Sequence, residues 1–232
     1  MFVKQFRYSI DNLGYLIYSN TQGVVIDGGA VKDILSFAQD KNIKIKYITN
    51  THSHHDHTSG NGKLLKKTAA QFIDCTKIKS DQEFHIDQEI LKVFHTPGHT
   101  DDSITFQAEN SLITGDTLFN GTIGNCFSGN LDAFFLSLKR LISFPKNTKI
   151  YGGHDYVMES IQIAQGIEKD NLFIKEYIKK YNPELIVSTL EDELNVNPFL
   201  RFNEPGIIKN LQQKDIPSNS ELLRFKAIME TY

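Results

Sequence analysis

Apolar residues recur in short runs through the first 150 positions, and most of these runs are too brief for helices. Leu13–Ser19 (LGYLIYS), Val24–Asp27 (VVID), Ile45–Thr49 (IKYIT), Leu91–Phe94 (LKVF), Ile104–Phe106 (ITF) and Leu112–Thr114 (LIT) are predicted strands, bounded by Gly, Asn, Asp and Pro. Two stretches among them follow a helical period. Val31–Gln39 is one, and Leu131–Ile142 is the stronger, with Leu131, Phe134, Phe135, Leu138 and Leu141 on one face. Strands alternating with amphipathic helices in this way predict two sheets covered by helices rather than one parallel sheet. Beyond about residue 156 the texture changes. Ser160–Glu168, Leu172–Lys180, Ile207–Gln213 and Glu221–Met229 read as helices, punctuated by Pro183, Pro198, Pro205 and Pro217. The expected organisation is therefore a mixed α/β domain over residues 1–156 and a small helical domain over 157–232.

Composition narrows the function classes. The chain has 232 residues, 40% hydrophobic and 23% charged, as in an ordinary globular protein. A net charge of −3 argues against a chain built to grip nucleic acid or an acidic membrane. Cys75 and Cys126 are too few for a disulfide framework and are expected as two buried thiols. No run approaches the ~18–20 apolar residues of a membrane span, and the start lacks the basic-then-apolar layout of a secretory signal. A cytoplasmic protein is the expectation, with no obligate protein partner implied.

The chemistry concentrates in Thr51-His52-Ser53-His54-His55-Asp56-His57. Of eight histidines, four lie between positions 52 and 57, directly after the apolar run ending at Thr49. In an extended or turning segment, residues two apart project to one side, so His52 and His54 can converge on one ion. Asp56 and His57, past a turn, would point toward a neighbouring position. Imidazole suits borderline metals, and carboxylate adds charge to offset them. His99 in TPGHT, Asp116 in GDT and His154 in YGGH each stand just past a strand-like run with glycine alongside. Asp27 also ends a strand. It is expected outside the ligand set, accepting a hydrogen bond that orients the cluster loop or a ligand imidazole. Alternation should turn His55 away, and His85 and His95 read as surface or packing residues.

The set THSHHDH, TPGHT, GDTLF and GGHDY resembles the metallo-β-lactamase superfamily. More narrowly, GDTLF with its following glycine-rich loop, and Ser188-Thr189-Leu190 with Glu193 and Asn197-Pro198-Phe199-Leu200-Arg201, resemble glyoxalase II, the hydroxyacylglutathione hydrolases. That resemblance implies an αββα sandwich with a helical appendage that helps bind the thiol part of the substrate. It implies that His52, His54 and His99 hold one divalent metal ion, that Asp56, His57 and His154 hold the other, and that Asp116 bridges them. Zinc is the expected metal, with iron and manganese as alternatives. A hydroxide shared by the two ions would attack a thioester carbonyl, with Asp56 and Asp116 as the catalytic carboxylates. The implied reaction is hydrolysis of lactoylglutathione in methylglyoxal detoxification.

The resemblance also carries substrate contacts, and here the chain departs from the family. Tyr156 matches the tyrosine that touches the cysteinyl-glycine part. Asn125 stands where the family has a basic residue that meets a glutathione carboxylate, and Phe127 takes the companion aromatic position. Lys226 keeps one C-terminal basic position, while Met229 replaces the other. A different thioester, a lactone, or a persulfide oxidised at a single iron are the competing substrates. The non-enzymatic alternative is a module whose ions only staple loops, but structural zinc sites are usually closed and rich in cysteine.

Overall fold

The computed structural model describes residues 1–231. The chain begins with strands β1 (Phe2–Tyr8), β2 (Asn12–Tyr18) and β3 (Gln22–Ile26). Helix α1 (Val31–Asp40), strand β4 (Lys44–Thr49), the single-turn helix α2 (His55–Thr58), helix α3 (Asn61–Lys67) and the two-residue strand β5 (Gln71–Phe72) follow. These strands form one sheet in the order β1-β2-β3-β4-β5, antiparallel as far as β3 and parallel beyond it. Next come β6 (Glu83–Ile86), β7 (Glu89–His95), β8 (Ile104–Ala108), β9 (Ser111–Gly115), helix α4 (Leu131–Leu141) and β10 (Lys149–Gly152). The remainder comprises α5 (Val157–Ile167), α6 (Phe173–Lys180), the two-residue β11 (Ser188–Thr189), α7 (Leu190–Val196), α8 (Pro205–Gln213) and α9 (Glu221–Thr231). The second sheet runs β11-β10-β9-β8-β7-β6.

Side-chain alternation explains the layering. On β2, Leu13, Tyr15 and Ile17 face the second sheet, while Leu16 faces the helices outside; on β3, Val24 and Ile26 point inward and Val25 outward. The inward set meets Phe84, Leu91, Val93, Phe106 and Ile113 of the second sheet. Outside the first sheet, Ile34 and Ala38 of α1 and Leu64 of α3 cover Val25 and Ile48. Outside the second, Leu112 and Ile150 lie under Phe134, Leu138 and Leu141 of α4 together with Phe199, Phe202 and Phe225. The architecture is the expected αββα sandwich with a helical C-terminal region. That region does not stand apart: Val157, Ile161 and Tyr177 join the inter-sheet core, and β11 pairs with β10 at the sheet edge. Among the described residues, no helix is long and apolar enough to cross a membrane.

Candidate metal centre

Parallel pairing sets the chemistry at one edge of the sandwich. Asp27 follows β3, the histidine cluster follows β4, Asp116 follows β9 and His154 follows β10. The β3/β4 and β9/β10 pairs are both parallel, so these ends lie together in each sheet. The Ile104 N–H donates to the Thr51 carbonyl at 2.9 Å and joins the two sheets there. Two glycines let the backbone crowd in. Gly115 has φ +51° and a Cβ on it would strike the Thr51 side chain, while a Cβ on Gly153 would lie 2.1 Å from Asp116 Oδ1.

Seven side chains converge as two adjoining triads. His54 Nδ1 lies 2.9 Å from His52 Nε2 and 3.1 Å from His99 Nε2. His57 Nε2 lies 3.3 Å from His154 Nε2 and 3.6 Å from Asp56 Oδ2, and the last two atoms are 3.3 Å apart. Asp116 stands between the triads, Oδ1 3.3 Å from His57 Nε2, and Oδ2 3.6 Å from His99 and 3.5 Å from His154. A tetrahedral ion with metal–nitrogen bonds of ~2.0–2.1 Å holds its donors about 3.3 Å apart, so both triads have the right span. Asp116 Oδ1 is moreover buried with no hydrogen-bond partner among the described residues.

The second nitrogen of four rings is tied off outside the cage. His57 Nδ1 meets Asp27 Oδ2 at 2.9 Å, His99 Nδ1 the Asn125 carbonyl at 2.9 Å, and His154 Nδ1 Asp11 Oδ1 at 3.0 Å. The Thr51 hydroxyl gives its proton to Asp27, so its oxygen is left to accept from His52 Nδ1 at 3.1 Å. Each Nδ1 thus faces a partner outside and each Nε2 faces the cage, the arrangement of a metal-ligating imidazole.

Electrostatics agree with this donor set. Burial, reinforced by the neighbouring His57, pushes His52 down to about 4, and burial also lowers His99; both rings are neutral donors at pH 7. Burial opposes charge on His57 and on Asp116, yet the imidazole and the carboxylates around it outweigh the penalty. His57 is raised well above its usual range by Asp27 and Asp116, and Asp116 is held well below its own by His154 and His57. Such a site calls for positive charge. Asp11, Asp27, Asp56 and Asp116 together carry a formal −4, equal and opposite to two divalent ions.

Comparison with known proteins agrees with this geometry. Residues 12–75 match the metallo-beta-lactamase superfamily, and residues 155–230 match the family described as hydroxyacylglutathione hydrolase C-terminus. The hydroxyacylglutathione hydrolase of Pelagibacter ubique is 36% identical over 82% of this chain and 89% of its own length. The chain belongs to the hydroxyacylglutathione hydrolase family. Hydroxyacylglutathione hydrolase 1 of Vibrio vulnificus is 33% identical over 87% of each chain. Among solved structures, ETHE1 from Myxococcus xanthus superposes with a TM-score of 0.72 at 23% identity, covering 100% of this chain and 91% of that one. A metallo-beta-lactamase from Staphylococcus aureus gives 0.69 at 19%, covering 100% and 67%. At these identities the likeness is one of fold.

Other expected positions of this hydroxyacylglutathione hydrolase family member fall as follows. Asp27 is fully buried at φ 53°, and it accepts from Thr51 N–H and Thr51 Oγ1 as well as meeting His57, so it touches both the cluster loop and an imidazole. His55 is turned outward because it opens the helical turn α2 rather than by strand alternation. His85 is exposed, and His95 bonds the Ile78 carbonyl. Cys75 is buried but Cys126 only half-buried, since it lies in the irregular loop before α4. Tyr156 stacks on His154 with ring centres 4.9 Å apart. Phe127 is 67% exposed and turns an edge to His54 and His99 at 5.7 and 5.2 Å. Asn125 is exposed and serves His99 through its carbonyl, and the Lys226 ammonium is paired with Asp132 at 2.7 Å. Three residues around the site were not foreseen. Asp11 meets His154, Asn12 donates to Asp56 Oδ2 at 2.9 Å, and the Tyr8 hydroxyl donates to the Asp56 carbonyl at 3.1 Å.

Proposed function

We propose that this protein hydrolyses S-2-hydroxyacylglutathione, lactoylglutathione in the first instance, to glutathione and a 2-hydroxy acid, using two divalent metal ions. The observation that carries the reading is the pair of triads joined by the buried, unpartnered carboxylate oxygen of Asp116. His52, His54 and His99 would hold one ion, Asp56, His57 and His154 the other, and Asp116 both. When bound, the ions supply acidified water at neutral pH and positive charge for the carbonyl oxygen under attack. The protein's part is orientation. Asp27, Thr51, Asp11 and the Asn125 carbonyl fix the imidazoles before substrate arrives, so no reorganisation is required during reaction. Phe127 and Tyr156 flank the centre as aromatic walls for the thiol portion, with residues 157–232 as the substrate-binding side of a catalytic domain spanning 1–156. Zinc is our assignment for the metal and the cytoplasm for the compartment.

Charge at the thiol side favours a second reading within the same chemistry. Asn125 is neutral, Met229 is apolar and the Lys226 ammonium is engaged by Asp132. Each missing charge-assisted contact to a glutathione carboxylate costs about 1.5–3 kcal/mol, roughly ten- to hundredfold in affinity. A less acidic thiol, or a lactone, would lose nothing there. Oxidation of a persulfide at one iron is disfavoured, because the C-terminal region matches hydroxyacylglutathione hydrolases. Steady-state turnover of lactoylglutathione, uncharged thioesters and lactones decides between substrates. Glutathione-ester hydrolysis with a raised KM supports the reading; inactivity of the metal-loaded enzyme on every ester in the set contradicts it.

A further inference from the structure

We infer that Asp11, in the turn between β1 and β2, is a positioning residue that tunes cation affinity at the Asp56–His57–His154 triad and leaves the His52–His54–His99 triad unaffected. The inference rests on the two-ion reading and adds to it an ordered, unequal pair of sites with a named cause.

The turn grips this triad from several directions. The Asp11 carboxylate receives His154 Nδ1, and the Asp11 carbonyl accepts from the Asp155 N–H at 2.9 Å. The Leu13 N–H donates to the Gly153 carbonyl at 2.8 Å, so the backbone on both sides of His154 is bonded to residues flanking Asn12. Asn12 itself forms an isolated antiparallel bridge with His154 and directs its amide onto Asp56 Oδ2. Two of the three donors of this triad are therefore held by one hairpin turn. The other triad owes that turn nothing: His52 is oriented by Thr51, and His99 by the Asn125 carbonyl.

A carboxylate accepting from Nδ1–H fixes the neutral ring's proton on Nδ1 and makes Nε2 the stronger donor to a cation, and loss of such a partner typically costs ten- to hundredfold in metal affinity. Around the rest of the ring, the stack with Tyr156 and the edge of Phe119 fix the plane and not the tautomer, and the Asn12 amide, from the same turn, lies 3.4 Å from Nε2. Exposure makes the effect separable from folding. The Asp11 side chain is 34% exposed, so water can replace it, whereas the Asp27 carboxylate that serves His57 is wholly buried.

The test is a zinc titration of the metal-free full-length protein against a chromophoric chelator, with elemental analysis of the dialysed product. Wild type should take up two zinc ions per chain. Asp11→Ala should bind the first with unchanged affinity and the second about ten- to hundredfold more weakly. Asp11→Asn, which keeps an acceptor oxygen without the charge, should fall between them and decides the matter should Asp11→Ala not melt cooperatively. Metal-free melting curves of the folded variants should coincide with wild type. Two sites weakened equally, or no weakening in either variant, would overturn the role of Asp11 while leaving the two-ion centre standing. A wild-type protein that binds fewer than two ions would overturn both.

Discussion

At Asp27 a carboxylate with no exposed surface accepts from the Thr51 N–H and hydroxyl and faces His57 Nδ1 at 2.9 Å. Removing it strands three donors where water does not reach, each worth about 1–3 kcal/mol. Asp27→Ala should destabilise the metal-free protein by about 3–5 kcal/mol, the range for breaking a buried charged pair. Urea unfolding checks this, and a loss below about 1 kcal/mol would contradict the bonding described. Asp27 and the seven donors could be read from the sequence because each follows an apolar run, and four of them (Asp27, His99, Asp116 and His154) border glycine. Asp11 and Asn12 could not. Asp and Asn in a tight turn between strands are what such turns carry for conformational reasons, so nothing in their identity separates a metal-site role from a turn role. Asn125 misleads in the opposite sense: its side chain drew notice, while its carbonyl makes the contact.

Elements with a strong apolar excess were predicted nearly to their ends, as α4 and α9 illustrate. Strands β1 and β6 were missed because they are edge strands, β6 exposing every second residue and β1 burying only Phe6, which leaves too few apolar positions for a signal. The turn α2 carries imidazoles rather than apolar residues, so it has no helical period to read. Helix α7 was not read from periodicity either, and it is fastened from inside. Glu193, fully buried, accepts from Ser188 of β11 at 2.6 Å, Tyr177 of α6 at 2.7 Å, the Gly121 N–H at 2.8 Å and Asn197 at 3.2 Å. It thereby ties the helical region to the loop that follows Asp116. Burial pushes its carboxyl up to about 6 against those four hydrogen bonds. The folded state then keeps a proton that the unfolded chain, titrating near 4.5, has already released. Stability from this group is present below pH 4.5 and is lost as pH rises toward 6, by roughly 2 kcal/mol in all. The difference in unfolding free energy between wild type and Glu193→Gln should fall by that amount between pH 4 and 7; a flat difference would count against the buried carboxyl.

For the molecule as a whole, the two-sheet sandwich with a helical C-terminal region followed from the order of apolar runs alone. The sharing of both cores between the sandwich and that region did not, since periodicity reports which face of an element is buried and not what covers it. The consequence is that the loops carrying Asp116, His99 and His154 are braced from behind by packed elements, while the donors meet at an open edge. A centre so preorganised should keep its geometry when filled. The most direct test is anomalous diffraction from crystals of protein purified without added metal, recorded on either side of the zinc, iron and manganese absorption edges. Two peaks should lie inside the cage, one against His52, His54 and His99 and one against Asp56, His57 and His154, with Asp116 between them. Crystals of active protein with no anomalous peak there, or with a single peak outside those side chains, would contradict the account.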